Sequence, residues 1–194
     1  MLAQRALGSR GVYREFLSSH VRAGDGDRVL DVGCGPGDIY SMMPAVDYVG
    51  LDVSERYIAA AGRRYGDRAR FVCLDCLDAP TAELDELGRF DIVMAIGLMH
   101  HFDDAQASEV FALAGRMLKS DGRLAILEPA IMEGQSRITR WIVSHDRGDD
   151  IRPPDRYREL AERSFGAVSI RVYDKLARVP YTHVALEARE ARGA

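Results

Sequence analysis

Apolar residues fall along this chain in two rhythms. Val29 to Val32, the stretch DYVGLDV within Ala45 to Val53, Phe71 to Asp75, Phe90 to Leu98 and Arg123 to Glu128 are short, dense apolar runs, as expected of strands buried on both faces. Between them apolar positions recur with the period of a helix: Ser54 to Tyr65 carries Tyr57, Ile58 and Ala61 on one stripe, and Thr81 to Leu87 and Ala105 to Lys119 read the same way. Strand and helix alternate, which predicts a parallel sheet with helices packed on its faces. A helix from Leu2 to His20 precedes the sheet, with Leu2, Ala6, Val12, Phe16 and Leu17 on one side and breaks at Gly8 and Gly11. A short helix fits between Asp38 and Met43 before Pro44 stops it, and Ser120-Asp121-Gly122 predicts a turn into the fifth strand.

The last third departs from this alternation. Asp155 to Phe165 reads as another helix. Val168 to Tyr173 and Thr182 to Ala188 alternate, and the connection DKLARVPY is too short for a helical crossover, so they must pair antiparallel. The expected fold class is therefore α/β: a doubly wound sheet of seven strands, mostly parallel with an antiparallel C-terminal hairpin, in one domain over residues 1–194. Ala130 to Gly166 is longer than the single helix its position needs. Within it Ile138, Trp141, Ile142 and His145 recur at helical spacing, which suits a lid over a substrate pocket.

Composition narrows the partners. A chain of 194 residues with 47% hydrophobic content fills one domain, and a net charge of −4 gives no basic footprint for nucleic acid or an anionic membrane. The longest apolar run, Ile92 to Met99, is far short of a membrane span, and MLAQRALGSRG lacks the apolar centre of a secretory signal. The expectation is a cytoplasmic protein acting on a small molecule, as a monomer or homodimer. Cys34, Cys73 and Cys76 fit a reducing compartment. Cys73 and Cys76 form C-x-x-C, but residues three apart on a strand face opposite ways and no second pair completes a tetrahedral site. They read as small buried hydrophobes, and no metal is expected.

The candidate chemistry starts at VLDVGCGPGD, Val29 to Asp38, where Asp31 interrupts the apolar run just where the strand should end. Gly33, Gly35 and Gly37 follow a strand at every second position, so the turn can take positive φ and bring bare backbone against a ligand. The dinucleotide pattern G-x-G-x-x-G is not met, because Asp38 stands where its third glycine belongs. Asp52 ends the second strand, at the separation from the first at which a strand-tip acid meets a ribose; two ribose hydroxyls can donate to one carboxylate. Ser54 already supplies the N-cap of the next helix. The fourth strand ends in Met99-His100-His101-Phe102, at the switch point of such a sheet.

These residues resemble the class I S-adenosylmethionine-dependent methyltransferases of small molecules, whose first motif, D/E-x-G-x-G-x-G, is matched by Asp31, Gly33, Gly35 and Gly37. LKSDGRLAILEP resembles the family's last sheet signature, so the likeness runs from Asp31 to Pro129. It implies a Rossmann-like fold and S-adenosyl-L-methionine as cofactor, with S-adenosyl-L-homocysteine as product. It further implies that Asp75, or Asp78, receives the adenine amino group, that Tyr13 lies near the methionine end, and that Cys34, Val53, Cys76 and Ala95 line the pocket. A histidine of the pair His100 and His101 is the candidate general base, with His145 of the lid as substitute, since an imidazole titrates near operating pH. Trp141 and Arg147 are the candidate substrate residues, and Arg137, Arg140 and Arg152 offer further forks for an acidic acceptor. O-methylation is favoured, because an alcohol needs a base more than an amine does. A methyltransferase acting on protein or RNA, a non-catalytic cofactor binder, and a Mg²⁺ site at Asp103 and Asp104 are the competing readings.

Overall fold

The computed structural model describes residues 9–132, 134–135, 150–173 and 182–192. Among them a helix, α1 (Ser9–Phe16), leads into the strands β1 (Arg28–Val32), β2 (Asp47–Asp52), β3 (Arg70–Cys73) and β4 (Phe90–Ile96). The helix α2 (Glu55–Tyr65) joins β2 to β3, and α3 (Thr81–Asp85) joins β3 to β4. Then follow α4 (Asp104–Met117), β5 (Leu118–Pro129), α5 (Pro154–Glu162), β6 (Phe165–Tyr173) and β7 (His183–Ala191). The strands form one seven-stranded sheet in the order β3-β2-β1-β4-β5-β7-β6, with β1 to β5 parallel and β7 antiparallel to both of its neighbours.

The double burial read from the apolar runs has a direct cause. Leu30, Val32, Val93 and Ile126 point to one side, where Phe111 of α4 and Leu160 of α5 cover them. Val29, Ile92, Met94 and Leu127 point to the other, beneath Val12 and Phe16 of α1. Because β2 and β4 both flank β1 and the helices then cross to opposite faces, the carboxyl ends of β1 and β4 border a crevice.

Several local expectations change. Residues 1–8 lie outside the described region, and α1 gives way to one π turn, Leu17–Val21, which Arg22 closes at φ 48° by donating its N–H to Leu17 O. The guanidinium of Arg123 takes the carbonyls of Val21 and Arg22, so this turn is held from the sheet. Only a 3-10 turn, Tyr40–Met42, forms before Pro44. The expected turn at Ser120-Asp121-Gly122 is instead an irregularity within β5, where the register with β4 shifts between Phe90 and Ile92. Asp31 does not end β1 but lies within it, with Val32 following. No helix of the described residues is long and apolar enough to cross a membrane.

Candidate active site

The crevice at the tips of β1, β2, β3 and β4 collects most of the residues singled out in the sequence. Gly33, Gly35 and Gly37 have φ of 76°, 55° and 72°, the left-handed region that glycine alone enters without strain. A Cβ on Gly33 would stand 2.8 Å from Leu98 Cδ1, and one on Gly37 2.9 Å from the ring of Tyr65. The first glycine therefore lets the loop meet the turn after β4, and the third lets it rest on the aromatic cluster of Tyr40, Tyr48, Tyr65 and Phe71.

Asp52 ties the loop to the next element. Its Oδ2 accepts the N–H of Gly35 (2.9 Å) and its Oδ1 that of Ser54 (2.8 Å), while Ser54 caps α2 as expected. Each oxygen keeps a second lone pair for a ligand hydroxyl. Val53 beside it is 64% exposed, the large hydrophobic left most in solvent among the described residues and a natural flank for a flat base. Asp75 is exposed, with Oδ1 accepting the N–H of Leu77 (3.0 Å); Asp78 is exposed as well. Cys76 is half-buried, which pushes its thiol up to about 11. Cys73 corrects the sequence reading: it is exposed, at the end of β3, a short strand at the edge of the sheet.

Other candidates sit deeper than a ligand-lining role suggests. Cys34 is packed under the loop against Gly50, and Ala95 is a buried core residue beside Val32. Tyr13 is half-buried on α1 against the core on that face. Asp31 is 2% exposed and accepts a hydrogen bond from the Tyr48 hydroxyl at 2.5 Å. Burial pushes its carboxyl up to about 7, against the lowering effect of the Tyr48 bond, and the nearby Asp52 raises it further.

That value sets a stability prediction. Asp31 would titrate near 3.8 in the unfolded chain, so between pH 4 and 7 the native state holds the proton that the unfolded state has lost, and stability falls as pH rises through this window. Above it the cost of the buried charge is constant, on the order of 4 kcal/mol. Asp31→Asn is expected to raise the melting temperature at pH 8 and to leave it nearly unchanged at pH 4.5. Thermal unfolding at the two pH values is the check, and an equal gain at both would show that Asp31 does not titrate in this range.

The histidines stand on a 3-10 turn, Met99–His101. His101 is exposed and lies over His100, with ring centroids 4.2 Å apart. His100 is 5% exposed and meets a residue that sequence reasoning passed over. Glu128, at the tip of β5, is 0% exposed; its Oε1 accepts the N–H of Leu98 (2.7 Å) and of Met99 (2.9 Å), and its Oε2 lies 2.7 Å from His100 Nδ1 and 3.4 Å from the His100 amide. The signal was present in LAILEP: a carboxylate closing an apolar run, at the same strand tip as the acids of β2 and β3.

The acids after the histidines have other work. Asp103 caps α4 in a reciprocal box with Gln106. Asp104 is gripped by Arg152 (2.7 Å) and Arg156 (2.6 Å), which hold its carboxyl below the usual range. Both carboxylates named for Mg²⁺ are thus engaged in the turn and helix. Arg152, expected as an anion fork, is a buried structural residue. Trp141, His145 and Arg147, with Arg137 and Arg140, lie outside the described residues.

Residues 29–122, from the first strand to the start of the fifth, match the family model of a methyltransferase domain. This part of the chain is a methyltransferase domain of the class I S-adenosylmethionine-dependent type. Among its relatives in this family, the 27-O-demethylrifamycin SV methyltransferase of Amycolatopsis mediterranei (strain S699) is 33% identical over 109 residues, 52% of this chain and 38% of that one. The chain spans about half or less of the length of the first curated relatives it matches. Among solved structures, the [4+2]-cyclase SpnF superposes with a TM-score of 0.72 at 18% identity, covering 94% of this chain and 81% of that one. The N-methyltransferase NodS of Bradyrhizobium japonicum WM9, in complex with S-adenosyl-l-homocysteine, superposes at 0.69 with 16% identity, covering 93% and 86%.

Proposed function

We propose that this methyltransferase transfers the methyl group of S-adenosyl-L-methionine to an oxygen of a small polar metabolite, with His100 as general base. The observation that carries this reading is the approach of His100 Nδ1 to the buried Glu128 carboxylate at 2.7 Å. Three backbone N–H groups already converge on the two oxygens of Glu128, a donor set that suits an acceptor-only carboxylate. The imidazole therefore donates from Nδ1, and Nε2 becomes the nitrogen that receives a proton.

For the cofactor, Asp52 would take the two ribose hydroxyls, Asp75 the adenine amino group, Val53 one face of the base, and the amides of the glycine loop would face the methionine end, with Tyr13, Asp31, Cys34, Cys76 and Ala95 around or beneath it. When bound, the sulfonium supplies an activated methyl group. His100 would take the acceptor's hydroxyl proton on Nε2, leaving the acceptor oxygen as the nucleophile. The chain's other contribution is alignment, which for well-oriented reactants is worth roughly 7–11 kcal/mol. The name of the rifamycin relative, an enzyme of a 27-O-demethyl substrate, supports an oxygen acceptor. The insert 130–166, with Trp141, His145 and Arg147, is the proposed source of acceptor specificity, and the chain is proposed to act without nucleic acid or metal.

Two measurements test this. Calorimetry with S-adenosyl-L-homocysteine should give saturable heat, and Asp52→Ala should weaken binding by at least about 10- to 100-fold, the loss expected from even one of its two hydrogen bonds to the ribose. Small hydroxylated acceptors should then release S-adenosyl-L-homocysteine from S-adenosyl-L-methionine. Binding without turnover across phenols, sugars and hydroxy acids would favour a cofactor binder that is not an enzyme.

A further inference from the structure

The turn that carries the histidines is held from two opposite directions. Glu128 takes its N–H groups. The carbonyls of Met99 and Phe102 go to Arg152, which is 5% exposed and lies some 50 residues further along the chain. Nη1 donates to Met99 O (3.0 Å) and to Asp150 O (2.9 Å), Nη2 donates to Phe102 O (2.6 Å), and Nε donates to Asp104 Oδ1 (2.7 Å). Met99 is the clearest case, with its N–H on Glu128 and its C=O on Arg152. The backbone adds two more links: Asp150 donates its N–H to His100 O (3.2 Å), and Ile131 donates its N–H to Arg152 O (3.3 Å).

A buried guanidinium is costly unless its donors are satisfied, and here the fork is spent on carbonyls on either side of the histidine pair. An arginine kept only for solubility or a surface ion pair would leave most of that fork in water. A planar group with several fixed donors can also set an angle between two carbonyls, which a lysine ammonium cannot. Asp104 completes the arrangement by fixing the guanidinium from the first turn of α4.

We infer that Arg152 is a positioning residue for His100. By fixing the carbonyls of Met99 and Phe102 it holds the imidazole in the orientation in which Nδ1 meets Glu128. Its consequence for catalysis rests on His100 being the proton acceptor; its effect on the ring does not, so the two are tested separately.

The test uses the full chain with ¹⁵N-labelled histidine rings, followed by NMR with and without S-adenosyl-L-homocysteine. In the parent, the two ring nitrogens of His100 should be widely split, as in one neutral tautomer protonated at Nδ1. Arg152→Met should make the two resonances converge, because the ring then samples both tautomers, while the affinity for S-adenosyl-L-homocysteine stays at the parent value. Arg152→Lys, which keeps the charge but not the fork, should converge partly. A parent-like split in folded Arg152→Met overturns the proposal; if that variant does not fold, a parent-like split in Arg152→Lys does so. A converged split with undiminished methyl transfer would support the positioning role and remove His100 from the role of base.

Discussion

His100→Gln is expected to lower kcat by about 10²–10⁴-fold, the usual contribution of a positioned general base, with the affinity for S-adenosyl-L-homocysteine unchanged. The split between the two readouts follows from where the residues sit. The loop from Gly33 to Gly37 and the acids Asp52 and Asp75 belong to the tips of β1, β2 and β3, whereas His100 hangs on the turn after β4 and is anchored from β5 through Glu128. Removing the imidazole therefore leaves the proposed cofactor cradle intact. Glutamine is chosen because its amide can still donate to Glu128 but cannot accept a proton at useful pH. The activity that remains should rise with pH and with the acidity of the acceptor hydroxyl, since a phenol loses its proton more readily than an alcohol. Rates measured on a phenol and on an aliphatic alcohol check this. A full rate in His100→Gln would move the base to His101, which is exposed over the same ring, or to His145.

How much of this could be read from the chain depends on whether the partners are local. Gly33, Gly35 and Gly37 are legible because a turn with three positive φ values leaves its mark at three alternate positions, and Asp52 because strand length fixes its distance from the loop. The hairpin of β6 and β7 is legible because DKLARVPY is too short to cross the sheet. What was missed is non-local. Glu128 and Arg152 act on Met99 and His100 from 28 and 53 residues away, and nothing in the spacing of either announces which turn it will hold. Arg152 was read as a ligand fork because it lies in a polar stretch; its burial follows from Tyr157, Asp104 and the folded turn, all of which must first be in place. Cys73 failed for a different reason. The strand was read correctly, but its edge position leaves the thiol exposed, and sheet order is not a local property. Asp31 looked like a strand terminator because acids end apolar runs; the Tyr48 hydroxyl from the neighbouring strand lets it stay inside.

Glu128→Ala is the substitution expected to cost the fold most. The carboxylate is the shared acceptor of the amides of Leu98, Met99 and His100 and of the His100 ring, and at least the Met99 amide and the imidazole are buried with it. Truncation removes the acceptor and leaves these donors in a space too enclosed for each to recover a solvent partner. A buried donor stripped of its acceptor costs about 1–3 kcal/mol, and breaking a buried charged network costs about 3–5 kcal/mol. On that scale the loss approaches the whole stability of an ordinary domain, which is about 5–15 kcal/mol. Glu128→Gln separates the two functions of the residue. Its Oε1 can still accept the amides of Leu98 and Met99, but its NH₂ group faces His100 Nδ1 as a donor and reverses the tautomer, placing the ring proton on Nε2. Denaturant unfolding should therefore show a large loss for Glu128→Ala and a modest one for Glu128→Gln. Methyl transfer should fall in Glu128→Gln by nearly as much as in His100→Gln, because an imidazole protonated on Nε2 has no lone pair there to offer the acceptor. If Glu128→Gln is as active as the parent, the carboxylate holds the turn and nothing more.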